Sequence, residues 1–293
     1  MDVVDGQVHV GRGKIDPTLE AMDALGIKGV IIDELWETRL GAHPTHIPPG
    51  YKLANGAWRT AYPVAQEAAL AYPDRFAFIV RIDPADPQLE SVMRVVGSTP
   101  GAVAFRLQPV WTVEDAKAFA SGGYERLFEL GQEIGLPMCV FIPGWVELLE
   151  PYLKKYPKQM VVVDHCGMGF SFLPPVRPEP DASFCATPAY FERVLDLAQY
   201  PNAALKLSHA QDRFGAQTYP FEGLRPHLRR AIAAFGAERL IWASDKSVIP
   251  HHSWSNLLNY LRDDPGLSRD EKEWILGRSA RKIFNWPASG GDA

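Results

Sequence analysis

Three residues far apart in the chain, His9, His165 and Asp245, carry side chains suited to acid–base or metal chemistry at points where strands are expected to end. Strand side chains alternate with period two, so Gln7 and His9 share one face at the end of a run that begins at Val3. The same count aligns His165 with Val161 and Val163, and Asp245 with Ile241 and Ala243. If those faces line one lumen, two imidazoles and a carboxylate converge. Each residue alone has a plainer role: a hydrogen-bonded core imidazole for His9, a donor to a rim carbonyl for His165, the N-cap of a following turn for Asp245. As a set they occupy strand ends, where polar groups are costly to shield without purpose.

Cations sit at similar places. Arg106 ends a run on the parity of Ala102 and Ala104, Arg81 ends another on that of Ala77 and Ile79, and Lys206 shares parity with Ser208. A lumen-facing cation is expensive unless it meets a protein carboxylate or a bound anion, and both partners stay open for each residue. Arg106 is the preferred carboxylate clamp, because a guanidinium grips a carboxylate through two parallel hydrogen bonds; Lys206 comes second. His43, His46, His209, His251 and His252 are scattered over loops and read as solvated or substrate-facing, and the clip-like His43-Pro44-Thr45-His46 spacing fixes no ligand geometry. Trp36, Trp58, Trp111 and Trp145 follow strands and either wall a pocket or pack the rim. No GxGxxG, GxxxxGK[ST] or GxSxG pattern occurs, so nucleotide binding and serine-nucleophile hydrolysis lack support.

The elements that must position these groups are legible as apolar runs separated by amphipathic segments. The runs are Val3–Val10, Gly29–Ile32, Phe76–Arg81, Ala102–Arg106, Pro137–Phe141, Met160–Asp164, Ala203–Ser208 and Leu240–Ser244, with helical periodicity between them. Eight alternating units without a break in composition predict a (β/α)8 TIM barrel, one domain over residues 1–293, rather than an open sheet. Helix-to-strand joins are short and end in glycine (Gly26, Gly135, Gly236) or in Tyr-Pro (Tyr72-Pro73, Tyr156-Pro157, Tyr200-Pro201). Strand-to-helix joins are long: Asp33–Arg59, Cys166–Thr187 and His209–Glu222. All the elaboration therefore falls on the C-terminal rim, where barrels build active sites. The tract Phe172–Pro180 reads as a lid or an ordered rim loop.

Composition removes other classes. Lysine and arginine total 30 against 35 aspartates and glutamates, for a net charge of −5 over 293 residues, with 46% hydrophobic and 22% charged residues. A mildly acidic chain without a basic run is a poor binder of nucleic acid or membrane surfaces. Cys139, Cys166 and Cys185 form no CxxC pair and suit a reducing compartment. The start, Met1-Asp2-Val3-Val4-Asp5, has no basic region before an apolar core, and no run of about 18 apolar residues follows. A cytoplasmic protein is expected.

The segments Asp5-Gly6-Gln7-Val8-His9, Val163-Asp164-His165-Cys166-Gly167, Ala204-Leu205-Lys206-Leu207-Ser208, Trp242-Ala243-Ser244-Asp245 and the tail from Ile275 to Phe284 together resemble the amidohydrolase superfamily, in its amidohydrolase-2 branch, almost end to end. The branch contains sugar lactonases, a pyrone dicarboxylate lactonase, a galactarolactone isomerase and metal-dependent decarboxylases of aromatic and muconic acids. By position the resemblance matches His9 to the second histidine of a His-x-His motif, His165 to the strand-6 histidine and Asp245 to the strand-8 aspartate. Gln7 departs from the first histidine, and Cys139-Val140-Phe141-Ile142-Pro143 offers no histidine at the end of strand 5. With two usual ligands missing, no cofactor is expected. The alternative is one divalent ion, zinc or manganese, on His9, His165, Asp245 and Glu34.

The resemblance and the missing ligands together imply a hydrolase that opens the lactone of a small carboxylated sugar-acid or aromatic-acid intermediate. Asp245 would activate water while His9 and His165 polarise the carbonyl. Arg106, Lys206, Arg81, Gln7 and Lys246 are the expected contacts of a small anionic substrate; Lys246 departs from the Asp-Trp of lactonase relatives. A metal-dependent decarboxylase, a lactone isomerase and a catalytically silent ligand-binding barrel are the alternatives. Family members associate, so a homo-oligomer is in view.

Overall fold

The computed structural model describes residues 1–40, 43–169, 181–249 and 251–288, and of residues 38–40, 43–46, 181 and 182 the backbone alone. Eight parallel strands follow one another in chain order around a single sheet: β1 (Val3–Val8), β2 (Ile27–Asp33), β3 (Phe76–Arg81), β4 (Ala102–Leu107), β5 (Met138–Val140), β6 (Val161–Val163), β7 (Ala203–Lys206) and β8 (Leu240–Ile241). Between β8 and β1 the ring is drawn together by the Gly6 N–H donating to the Trp242 carbonyl and the Asp245 N–H donating to the Gln7 carbonyl, both at 3.0 Å. Gly6 permits this approach, since a Cβ there would lie 2.6 Å from Ile241 Cγ2 and 2.9 Å from the Trp242 carbonyl oxygen. The architecture is the expected (β/α)8 barrel.

Alternation along the strands divides the buried residues into two cores. Val4, Ile31, Ala77, Ile79, Ala104, Cys139, Val162, Ala204 and Ile241 fill the lumen. Their neighbours, including Val30, Phe76, Phe105, Val140, Val163 and Leu205, face outward against the helices. Small and medium side chains predominate inside, as a narrow eight-stranded lumen requires. The bottom is stopped by Ala280, Phe284 and Trp286, which pack into the inner core from the end of the chain.

The short joins behave as expected: Gly26 and Gly135 close their helices in the left-handed conformation. The long joins hold more order than loops. Asp33–Arg59 contains two antiparallel ribbons, Trp36–Leu40 with His43–Ile47 and Gly50–Lys52 with Trp58–Thr60. After β4 an additional helix, Val113–Ala120, starts from a reciprocal cap between Thr112 and Asp115. Phe172–Pro180 lies outside the described residues. No helix among the described residues is long and apolar enough to cross a membrane.

Candidate active site

Three imidazoles, from the ends of β1, β6 and β7, meet around one carboxylate that follows β8. Asp245 Oδ1 lies 3.0 Å from His9 Nε2, and Asp245 Oδ2 lies 2.8 Å from His209 Nε2 and 3.9 Å from His165 Nε2. All four side chains are less than a tenth exposed. Each ring is held from behind at its other nitrogen. His9 Nδ1–H donates to the Asp33 carbonyl at 2.8 Å, His165 Nδ1 bonds the Ser208 hydroxyl at 2.7 Å, and His209 Nδ1 lies 3.5 Å from Asp212 Oδ2. Three imidazoles thus turn their Nε2 faces to the same point.

The electrostatics follow from that packing. Burial would raise the Asp245 pKa, but His9, His209 and His165 hold its carboxyl well below the ordinary range. Burial lowers His9 despite Asp245, and lowers His165 well below the ordinary imidazole value with His209 adding to the effect. The His165 ring is therefore neutral at physiological pH. His209 moves the other way: burial opposes its charge, but Asp212 and Asp245 on either side raise it.

Beneath this cluster runs a second layer of ions. Asp33 takes both Arg81 nitrogens, at 3.0 and 2.6 Å, and also the Arg106 guanidinium. Arg106 Nε donates to Asp164 at 3.0 Å, and Lys206 Nζ lies 2.8 Å from the other Asp164 oxygen. Lys206 also donates to Gln7 Oε1 at 2.9 Å and lies 3.6 Å from Cys139 Sγ. Burial opposes the charge on Asp164, but Lys206 and Arg106 hold its carboxyl far below its usual value, and Asp164 in turn keeps Lys206 raised. These groups are the inward continuation of β2, β4, β6 and β7, where alternation leaves a polar layer above the apolar lumen.

The expected residues fare differently. His9, His165 and Asp245 come together. The parity assigned to β6 is corrected: Val161 and Val163 face outward, Val162 faces in, and Asp164 is the next inward side chain. Strands buried on both faces give alternation little to show. His165 still enters the site because its backbone turns left-handed, with φ 53°. Lys206 and Gln7 are corrected from substrate contacts to braces under the floor, both fully buried. Arg106, preferred as a substrate clamp, is engaged by Asp33 and Asp164, while Arg81 keeps a 16% exposed side chain beside them. Lys246 turns to the Ile249 carbonyl at 3.5 Å.

Glu34 is corrected as well. Its oxygens accept from the Ala65 N–H at 2.8 Å and Trp36 Nε1 at 2.7 Å, so it secures the start of helix Pro63–Ala71 instead of facing Asp245. His209, read among the scattered loop histidines, is a full member of the cluster; its position three residues after Lys206 on the elaborated rim was the available signal. Asp33 and Asp164 were also missed as inward groups. The side chains of His43 and His46 lie outside the described residues.

A cleft of about 560 Å³ opens beside the ends of β3 and β4, lined in part by Trp58, Thr60, Arg81, Arg106, Gln108 and Trp111. Its two arginines are tied to the histidine cluster through Asp33, whose carboxylate holds both of them and whose carbonyl accepts from His9. Trp58 and Trp111 thus do wall a pocket. Trp36 instead carries the Arg12 guanidinium 3.5 Å over its ring.

The donor set fits a divalent ion. Ligand atoms of His165, His209 and Asp245 lie within 4.8 Å of one another, two imidazoles and a carboxylate being a common catalytic zinc set. Imidazoles tied back at Nδ1 match the way proteins orient metal ligands. His209 takes the place that the sequence reading gave to Glu34.

Comparison with known proteins agrees with the fold. The model of the amidohydrolase family, in its amidohydrolase-2 branch, matches residues 42–286, and the chain belongs to that family. No curated protein matches the sequence. Among solved structures, an amidohydrolase from Burkholderia multivorans with bound zinc is similar at 19% identity and a TM-score of 0.70, covering 98% of this chain and 100% of its own. A candidate 2-pyrone-4,6-dicarboxylic acid hydrolase from Pseudomonas putida is 18% identical with a TM-score of 0.65, covering 98% and 99%. A 5-carboxyvanillate decarboxylase from Sphingomonas paucimobilis is 14% identical with a TM-score of 0.63, covering 98% and 99%.

Proposed function

We propose that this amidohydrolase opens the cyclic ester of a small carboxylated compound from sugar-acid or aromatic-acid breakdown. The observation that carries the reading is one buried carboxylate, Asp245, faced by three imidazole Nε2 atoms at the mouth of a barrel. Asp245 is ionised and accepts the proton of an attacking water. His209, whose protonated form Asp212 and Asp245 favour, faces the oxygen on which negative charge develops, while His9 and His165 orient the water and the carbonyl. A carboxyl held so far below its ordinary value is a weak base, so the water needs further acidification. A divalent ion, if bound by Asp245 and the unprotonated Nε2 atoms of His165 and His209, would supply it and would polarise the carbonyl in place of a protonated His209.

The substrate is read as an anion from the ionic layer. Among the described residues, Arg81, Arg106 and Lys206 form ion pairs there with Asp33 and Asp164, three cations to two carboxylates in the layer beside the cleft. Arg81, at the cleft wall, is placed to meet a substrate carboxylate. The test is a screen of carboxylated sugar lactones, muconolactones and pyrones on metal-analysed protein, with Asp245→Asn in parallel. Ring opening that releases acid with the parent and not with the variant supports the proposal; no acid release from any lactone overturns it.

A second reading, non-oxidative decarboxylation, is favoured by the donor set around Asp245 and by the likeness to the Sphingomonas decarboxylase. Carbon dioxide release from a carboxylated phenol, lost on metal removal, would select it.

A further inference from the structure

We propose that Asp212, His251 and His252 form a second divalent-cation site, of zinc class, on the rim outside the Asp245 cluster. Asp212 belongs to the helical turn Ala210–Arg213 that follows β7, and the two histidines belong to the loop that follows β8. Adjacent loops thus bring together two imidazoles and a carboxylate, with one ligand atom from each residue within 4.8 Å of the others. His251 Nε2 already stands 3.3 Å from Asp212 Oδ1.

A second observation points to a ligand. His252 is 8% exposed, yet its Nε2 is buried with no hydrogen-bond partner. Leaving a buried imidazole nitrogen unsatisfied costs about 1–3 kcal/mol, a cost that a metal bond at the ring removes. The ring is fixed edge-on against Phe221, with centroids 4.9 Å apart, and it lies 4.5 Å from the His251 ring. Burial lowers the pKa of His252, with His251 adding to it, so the ring presents a neutral lone pair.

Two nitrogens and one oxygen select a borderline ion such as zinc over calcium or magnesium, which prefer all-oxygen shells. Tetrahedral coordination at about 2.1 Å places ligand atoms about 3.4 Å apart, so the group must contract on binding. His251, 54% exposed, has the freedom to close that gap, and its exposure opens the site to solvent. The other oxygen of Asp212 faces His209, so the two centres share a boundary residue.

The test counts zinc by atomic emission in the parent, His251→Ala and Asp245→Asn after dialysis against micromolar zinc chloride, and records cobalt(II) visible absorption in each. The proposal expects His251→Ala to retain one equivalent less than the parent and to lose part of the cobalt bands. It also expects Asp245→Asn to keep the rim equivalent. Equal zinc and equal cobalt spectra in parent and His251→Ala overturn the proposal. His251 is largely solvated and its replacement leaves the fold intact; His252→Gln, which retains a polar head, gives an independent reading of the same loss.

Discussion

Asp245, His165 and His209 all sit on left-handed backbone, with φ of 48°, 53° and 58°. That conformation costs an L-residue about 1–2 kcal/mol, and three instances around one carboxylate mark strain held for function. It also explains how His165 enters the site against the parity of β6, since period-two counting assumes extended backbone. Asp245→Asn keeps the shape but removes the charge that the imidazoles surround. Its kcat/KM is expected to fall at least about 10²-fold, with an unchanged circular dichroism spectrum, in the lactone assay. His209→Ala is expected to lower zinc retention at the centre, whereas Glu34→Gln leaves it unchanged. Glu34→Ala instead orphans the Ala65 N–H and lowers stability by about 1–3 kcal/mol, measurable by urea denaturation.

At the scale of elements, all eight strands were legible, because β-branched runs and punctuated joins survive in one dimension. The rim was less so. Asp33 and Asp164 make sense only when β2, β3, β4, β6 and β7 stand side by side, since each meets cations more than forty residues away in the chain. The ribbons after β2 were hidden by proline, glycine and histidine in a stretch without alternation. Ring closure is itself testable. Gly6→Ala forces a methyl against Ile241 and the Trp242 carbonyl, and overpacking of this kind destabilises by about 1–3 kcal/mol. A lowered urea midpoint with an unchanged m-value is the expected result.

For the whole molecule, pH acts through groups of opposite sign. Asp5 lies under the site, fully buried, accepting from Ser244 N–H, Gln7 N–H and Trp254 Nε1. Burial pushes its carboxyl up to about 6, more than these bonds pull it down. A folded value above the unfolded one means that its contribution is fully present below about pH 4 and is lost as pH rises through about 6, a change of about 3 kcal/mol. Asp5→Asn should therefore gain stability relative to the parent between about pH 4.5 and about pH 7, by urea denaturation at each. Asp164 and Asp245, held low, contribute in the reverse direction, with stability lost only as strong acid protonates them.

The stopper at the base of the barrel, Ala280, Phe284 and Trp286, follows all eight strands in the sequence. Trp286 lies against Gly29, and Arg281 grips Asp2 at 2.9 Å, so the final helix clasps the opening strand pair. A ribosome still holding those residues carries a ring whose apolar bore is open to water from below. The base of the barrel is thus sealed only after all eight strands have been made, when helix Ser279–Ile283 is fastened beside β1.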